Sequence, residues 1–321
     1  MTRKSSLSCA SVIHWSARTC STAKGHPLTS TPQSFGRSQL TDQRVHQALL
    51  GYGKGHQLLA SSVGRDVAAT RLLRTATDMA FDGRSESYLS VFPLPDADLH
   101  AFVRSWGGSS WQRAGAVWSH AIFLDPIQLS RVGDLASIAR MFRRPKADSA
   151  AELGNELSAY ASVLTWHTSA AFDRPRVQAF DESLAATVIG EFYDSQDRVE
   201  IGVGGREGID DLVLALLSQQ WPSLRRTFSA RTRARSSDAS WQVGLEIVDR
   251  PKMHDSTAPP EWARFLARDM QAPSRDFRVF LGRYGAESRS GRLAKPPLVT
   301  LYRLSPSQTS PPLRLVKDTR H

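Results

Sequence analysis

Residues 116–124 constrain the fold more than any other stretch of this chain. Read as a strand, they place Trp118, His120 and Ile122 on one face and Val117, Ala121 and Phe123 on the other, because successive side chains point to opposite sides. A strand that is apolar on both faces belongs inside a sheet covered on both sides. Residues 87–92 and 98–106 read as further strands, with Pro93, Pro95, Gly107 and Gly108 as breakers. Upstream, residues 46–52 and 56–62 flank Gly53, Lys54 and Gly55. That short connection carries the glycines a tight turn needs, so the three pieces predict a β-hairpin. Residues 65–77 follow as a helix with Val67, Leu72 and Leu73 inward.

Asp125 and Pro126 resemble an N-cap with proline at the first helical position, and Leu135, Ile138, Met141 and Phe142 recur at helical spacing until Pro145. The composition turns polar and rich in small residues there, which sets a domain boundary at about 146. Beyond it, Asp181 and Ser183 cap a helix burying Leu184, Val188, Ile189 and Phe192. Residues 198–203 and 208–220 read as a strand and a helix stopped by Trp221 and Pro222. Strands at 227–232 and 241–248 and helices at 261–270 and 275–284 complete the reading, the last helix ending at Gly285. No internal repeat occurs.

These elements predict an α+β protein, with a mainly β N-terminal domain at 43–146 packed against a mixed α/β domain at 147–305. The 321 residues suit two domains of about 150 each. A loose tail at 306–321 and a disordered basic leader at 1–42 flank them. Arg3, Lys4, Arg18, Lys24 and Arg37 precede the first acid, Asp42, so the leader carries half of the formal net charge of +10. A plain tail, a start codon assigned too far upstream and a targeting segment all fit that composition. The longest apolar run, 212–217, falls far short of the ~20 residues that cross a bilayer, so we expect a soluble, cytoplasmic protein without membrane contact.

Cys9 and Cys20 are the only cysteines; the body of the chain therefore has no disulfide, thiolate metal ligand or cysteine nucleophile. The Gly202–Gly208 loop lies between a strand and a helix, yet the third glycine of a dinucleotide fingerprint falls on Glu207, and Asp210 and Asp211 occupy the first helical turn where they would repel a phosphate. An ordinary strand-to-helix turn is the better reading. No phosphate-binding loop of the G-x-x-x-x-G-K-[ST] form occurs either. The nine histidines show no metal-ligand spacing. His46 and His56 stand six residues, or roughly 20 Å, apart along the hairpin, too far to share a metal. Neither a metal nor any other cofactor is expected.

The polar candidates are His56, Arg104, Trp106, Arg113, Trp118 and His120. A satisfied core histidine is the bland reading of His120, and a hydrolase or nuclease using it with Arg104 or Arg113 is the sharp one. The chain offers no convincing carboxylate or nucleophile elbow to complete a triad. Arg225, Arg226, Arg231, Arg233 and Arg235 form a dense basic run. It reads either as a solvated edge strand, whose charges block sheet-to-sheet pairing, or as a phosphate contact in a nucleic-acid sensor.

The stretches Gly51-Tyr52-Gly53-Lys54-Gly55-His56-Gln57-Leu58-Leu59, Phe92-Pro93-Leu94, Arg104-Ser105-Trp106 and Arg113-Ala114-Gly115-Ala116-Val117-Trp118-Ser119-His120 together resemble the N-terminal domain of bacterial GTPase-associated protein 1. Ser218-Gln219-Gln220-Trp221-Pro222-Ser223-Leu224-Arg225-Arg226-Thr227-Phe228-Ser229 is similar to that family's middle region, and Phe280-Leu281-Gly282-Arg283-Tyr284-Gly285 to its following helical segment. The likeness spans about 45 to 305. It departs from the family at Ala114, Ala116 and Ser119, and at Ala230 and Arg231, where the family often carries cysteine-bearing motifs.

The resemblance implies a component of bacterial conflict systems, of anti-phage type, encoded beside GTPases. It carries over no catalytic residue. The expectation is a non-enzymatic adaptor whose partners are a neighbouring GTPase and its associated proteins, with Gln220, Trp221, Arg225 and Arg226 as the contact segment.

Overall fold

The computed structural model describes residues 41–64, 67–78, 87–107, 117–133, 135–147, 150–168, 180–233, 243–250, 258–286, 288 and 291–305. They lie in one compact unit, Gln39–His321. The expected leader, apart from its last two residues, and the expected tail at 306–321 fall outside the described residues.

Thr41–Tyr52 forms β1 and His56–Ser61 forms β2, the predicted hairpin, with Tyr52 opposite His56. Gly55 turns it at φ 118°, a conformation that costs glycine little. Leu50 pairs with Leu58 and Leu49 with Ala60, so Leu59 is the extra residue of a bulge. Val67–Thr77 is α1. Ser87–Leu94 (β3), Leu99–Gly107 (β4) and Val117–Leu124 (β5) extend the sheet in antiparallel fashion. Pro93 lies inside β3 rather than ending it. The strand on its far side pairs only with Ser90 and Val91, so the missing N–H at Pro93 breaks no ladder bond there.

Asp125 caps α2, Pro126–Arg131, through a reciprocal bond with Gln128, as the sequence predicts. The single helix expected to run on to Pro145 is instead split, and Leu135–Met141 is a 3-10 helix. Its start is held by the Leu135 N–H donating to Ser218 Oγ at 2.9 Å. Glu156–Tyr160 is α3, and Leu164–Thr168 is β6, which pairs with the first half of β1. Glu182–Asp194 (α4), Val199–Gly202 (β7) and Ile209–Ser218 (α5) follow. Pro222 then opens a short helix, α6, Pro222–Thr227, and the strand expected over 227–232 begins only at Ala230. Ala230–Thr232 is β8, Leu245–Val248 is β9, and Glu261–Gln271 (α7), Arg275–Gly285 (α8) and Lys295–Leu304 (α9) close the chain.

The architecture is α+β. One mixed sheet runs in the order β2-β1-β5-β4-β3-β8-β9-β7, with β6 on β1. Its first strands are antiparallel, whereas β7 and β8 both run parallel to β9. The β3–β8 pairing carries the sheet across the sequence position expected as a boundary. Leu89, Val91, Phe102, Ile122 and Leu124 share one core with α4, α5 and α7. On the other face Leu50, Phe92, Val103, Ala121 and Phe123 pack on Leu73 and Ala76 of α1. Every residue of β5 is buried, so this strand is covered on both sides.

Candidate functional site

His120 stands at the middle of β5 with its ring fully enclosed. Its Nδ1 accepts the Arg143 backbone N–H at 3.0 Å, which leaves Nε2 as the protonated nitrogen donating to Gln47 Oε1 at 2.8 Å. Gln47 Nε2 in turn donates to the carbonyls of Ala159 and Ser162 at 2.7 and 2.6 Å. Phe142 and Tyr160 meet the imidazole edge-on at 6.0 and 5.1 Å. Burial, aided by Arg143, pushes its pKa down to about 3. A neutral imidazole with both nitrogens occupied clasps β5, β1 and the end of α3 together. That is the satisfied core histidine.

Arg104 is the cross-strand neighbour of His120, but its guanidinium turns away. It lies over the Phe142 ring at 5.5 Å and pairs with Asp210 at 2.6 Å. Asp210 also accepts from Thr232 Oγ1 at 2.6 Å, and Thr232 Oγ1 accepts the Leu89 N–H at 2.9 Å. This relay locks the start of α5 onto β3, β4 and β8. It uses one of the two acids expected to repel a phosphate, and the preceding loop is turned by positive φ at Gly204, Gly205 and Gly208.

Trp106 pairs with Trp118 across β4 and β5. Trp118 is buried beside Leu49, Leu153 and Tyr160, and a Cβ on Gly51 would lie 2.3 Å from its ring. His56 is on the opposite face of the sheet. It is buried, hydrogen-bonded to Thr77 Oγ1 at 2.7 Å, and its pKa is pushed down to about 4 chiefly by burial. The six polar candidates thus do not converge: His120, Arg104, Trp106 and Trp118 share one face, His56 takes the other, and Arg113 lies outside the described residues. Among the described residues, no three histidines, cysteines or carboxylates gather as a metal would need.

In the middle segment, Gln220, Trp221 and Arg225 are buried and Arg226 is exposed. Arg225 Nε donates to Gln220 O at 2.8 Å, Nη1 to Leu129 O and Val132 O at 2.9 and 2.7 Å, and Nη2 to Ser218 O. One guanidinium therefore satisfies carbonyls at the ends of both α2 and α5 that have no helical partner. Desolvation lowers its pKa to about 10. Arg231 is also buried, opposite Glu246 across β8 and β9 at 3.9 Å. The reading of the basic run as an edge strand fails at Arg231, because β8 lies between β3 and β9; Arg235 lies outside the described residues.

Sequence reasoning missed Lys295. At the first position of α9 it is fully buried, donating from Nζ to Gln219 O at 2.9 Å. The rings of Trp221, Tyr193 and Phe277 surround it at 5.6, 5.7 and 5.9 Å. Asp269 completes the cluster, accepting from Gln219 Nε2 at 2.7 Å and the Ser274 N–H at 2.9 Å. Burial drives the Lys295 pKa down to about 7 and raises that of Asp269. The Lys-Pro-Pro sequence announces a helix start, but nothing local announces a lysine in an aromatic cage.

Residues 44–142 match the family model described as GTPase-associated protein 1, N-terminal domain type 1. The match runs from β1 through β5 and α2 to the end of the 3-10 helix. No curated protein matches the chain.

Proposed function

Because residues 44–142 are a GTPase-associated protein 1 N-terminal domain of type 1, we propose that the protein is a non-enzymatic adaptor in a GTPase-linked bacterial conflict system. The observation that carries this reading is the use made of the chain's polar motif residues. His120 has both ring nitrogens bonded inside the fold, and Arg225 caps buried carbonyls. Side chains so engaged serve a rigid scaffold, and a scaffold acts through its surface. The alternatives draw less support from the geometry: a His120 hydrolase would need the imidazole to reach a substrate, and a sensor working through Arg225 to Arg235 would have Arg225 and Arg231 enclosed, with Arg226 exposed.

An adaptor senses a GTPase by contacting differently the segments that the γ-phosphate orders. The test is a pull-down of the neighbouring GTPase in GTP-locked and GDP-locked forms on the full chain. Unequal recovery is expected. Equal recovery from both forms, or none from either, would sink the adaptor reading. GTP turnover by the purified chain would overturn the non-enzymatic assignment.

A further inference from the structure

We propose that the outer edge of β2 is a strand-addition site for a short, extended, acidic segment of a protein partner. β2 ends the sheet, and among the described residues no strand pairs with its outer side. Such an edge presents unpaired backbone donors and acceptors, the feature that extended peptides use when they join a sheet.

The surroundings of the edge specify the segment. A groove of about 920 Å³ separates β2 from α1, and a second of about 290 Å³ separates β2 from α3. Side chains of an added strand alternate between the two faces of the sheet, so alternate residues would enter alternate grooves. The α1 groove is basic: Arg71 and Arg74 line it and both are exposed. Arg74 is held at the strand by its Nε donating to His56 O at 3.1 Å. Asp78, the one acid lining this groove among the described residues, already accepts from Tyr52 Oη at 3.0 Å. The α3 groove is uncharged among the described residues: Leu59, Ala60, Val63 and Leu157 stand on its walls beside Ser61 and Ser158. The fitting segment therefore carries carboxylates at one parity and small uncharged residues at the other. A second copy of β2 does not fit, since His56–Ser61 contains no acid and would bring a second pair of arginines. The bulge at Leu59 keeps the edge short, which limits the added strand to a few residues. The proposal is independent of whether the partner is a GTPase.

The probe is a fluorescein-labelled peptide, Glu-Val-Glu-Val-Glu-Val, titrated onto the full chain at low salt. Three controls accompany it: the same peptide N-methylated at alternate residues, its Lys-Val counterpart, and the double variant Arg71→Glu, Arg74→Glu. We expect saturable binding of the acidic peptide, slowed hydrogen exchange of the β2 amides in the complex, and at least a tenfold loss of affinity in each control. The N-methylated peptide leaves the protein intact, so that arm does not depend on how well a variant folds. No binding, equal binding of the N-methylated peptide, or equal binding of the lysine peptide would each overturn the proposal. So would a peptide-free dimer with protected β2 amides, which would assign the edge to a second copy.

Discussion

Trp221 occupies the space that a side chain on Gly285 would need: a Cβ there would come within 2.4 Å of the indole. Trp221 precedes α6 and Gly285 ends α8, so this contact joins two segments more than sixty residues apart. Gly285→Ala is therefore expected to destabilise by about 1–3 kcal/mol through overpacking, despite the better helix propensity of alanine. Gly282→Ala, three residues earlier in the same helix with nothing within 4 Å of the added methyl, should be neutral or stabilising by up to about 1 kcal/mol. Urea unfolding of both variants checks the pair; equal effects would show that the indole can yield.

The His120 and Gln47 side chains act as one unit. His120→Ala should cost about 1–3 kcal/mol from lost packing and an orphaned carboxamide. Combining it with Gln47→Ala should cost less than the sum of the single changes, because each single change already breaks the shared bond. An additive double mutant in denaturant unfolding would show that the clasp is not coupled.

Acid should weaken the fold through its buried histidines. Burial lowers the pKa of His100 and His120 to about 3 and that of His56 to about 4. The unfolded chain, with histidine near 6.5, then binds more protons than the folded one, so stability is full above pH 6.5 and is lost as pH falls toward 3 to 4. By pH 5 each histidine should have contributed a loss on the order of 2 kcal/mol. Unfolding midpoints from pH 7 to 4.5 test this, and His100→Phe should flatten the slope if the sign is right.

Lys295 acts in a separate window. Its folded pKa of about 7 lies below the value of 10.5 for a free lysine. Between those values the unfolded chain holds a proton that the folded chain has released, so stability should rise with pH from 7 toward 10. Lys295→Met should remove that rise. A wild-type profile flat from pH 7 to 9.5 would mean that the ammonium stays charged among the three rings.

Arg225 and Arg226 are adjacent and should behave oppositely. Arg225→Met leaves four buried carbonyls without their donor, and a loss above 3 kcal/mol is expected. Arg226→Met changes an exposed side chain and should stay within about 0.5 kcal/mol. Thermal unfolding of the two variants is the check; comparable losses would contradict the burial of only one of them.

Much of the fold was legible locally. The hairpin about Gly55, the capped start of α2 at Asp125 and Pro126, and the two-sided burial of β5 all follow from backbone preferences and side-chain period, which act over a few residues. The splitting of the helix after Arg131 was not legible, because Leu135 is held by Ser218, eighty-three residues away. β8 looked like a charged edge strand for the same reason. Its three residues cannot reveal that β3 and β9 flank them, or that Glu246 would stand opposite Arg231.

The candidate residues divide along that line. That His120 is a core histidine could be reasoned from its apolar strand, whereas its partners Gln47 and Arg143 come from other elements. The aromatic cage of Lys295 draws Tyr193 from α4, Trp221 from the start of α6 and Phe277 from α8. Sequence alone determined the helix or strand character of stretches such as β1, β2, β5 and α4 and which of their faces would be apolar, since those depend on short-range sterics and periodic burial. Only the tertiary structure decided which charges are enclosed and which remain at the surface, because desolvation depends on every element packed around a group and not on its neighbours in the chain.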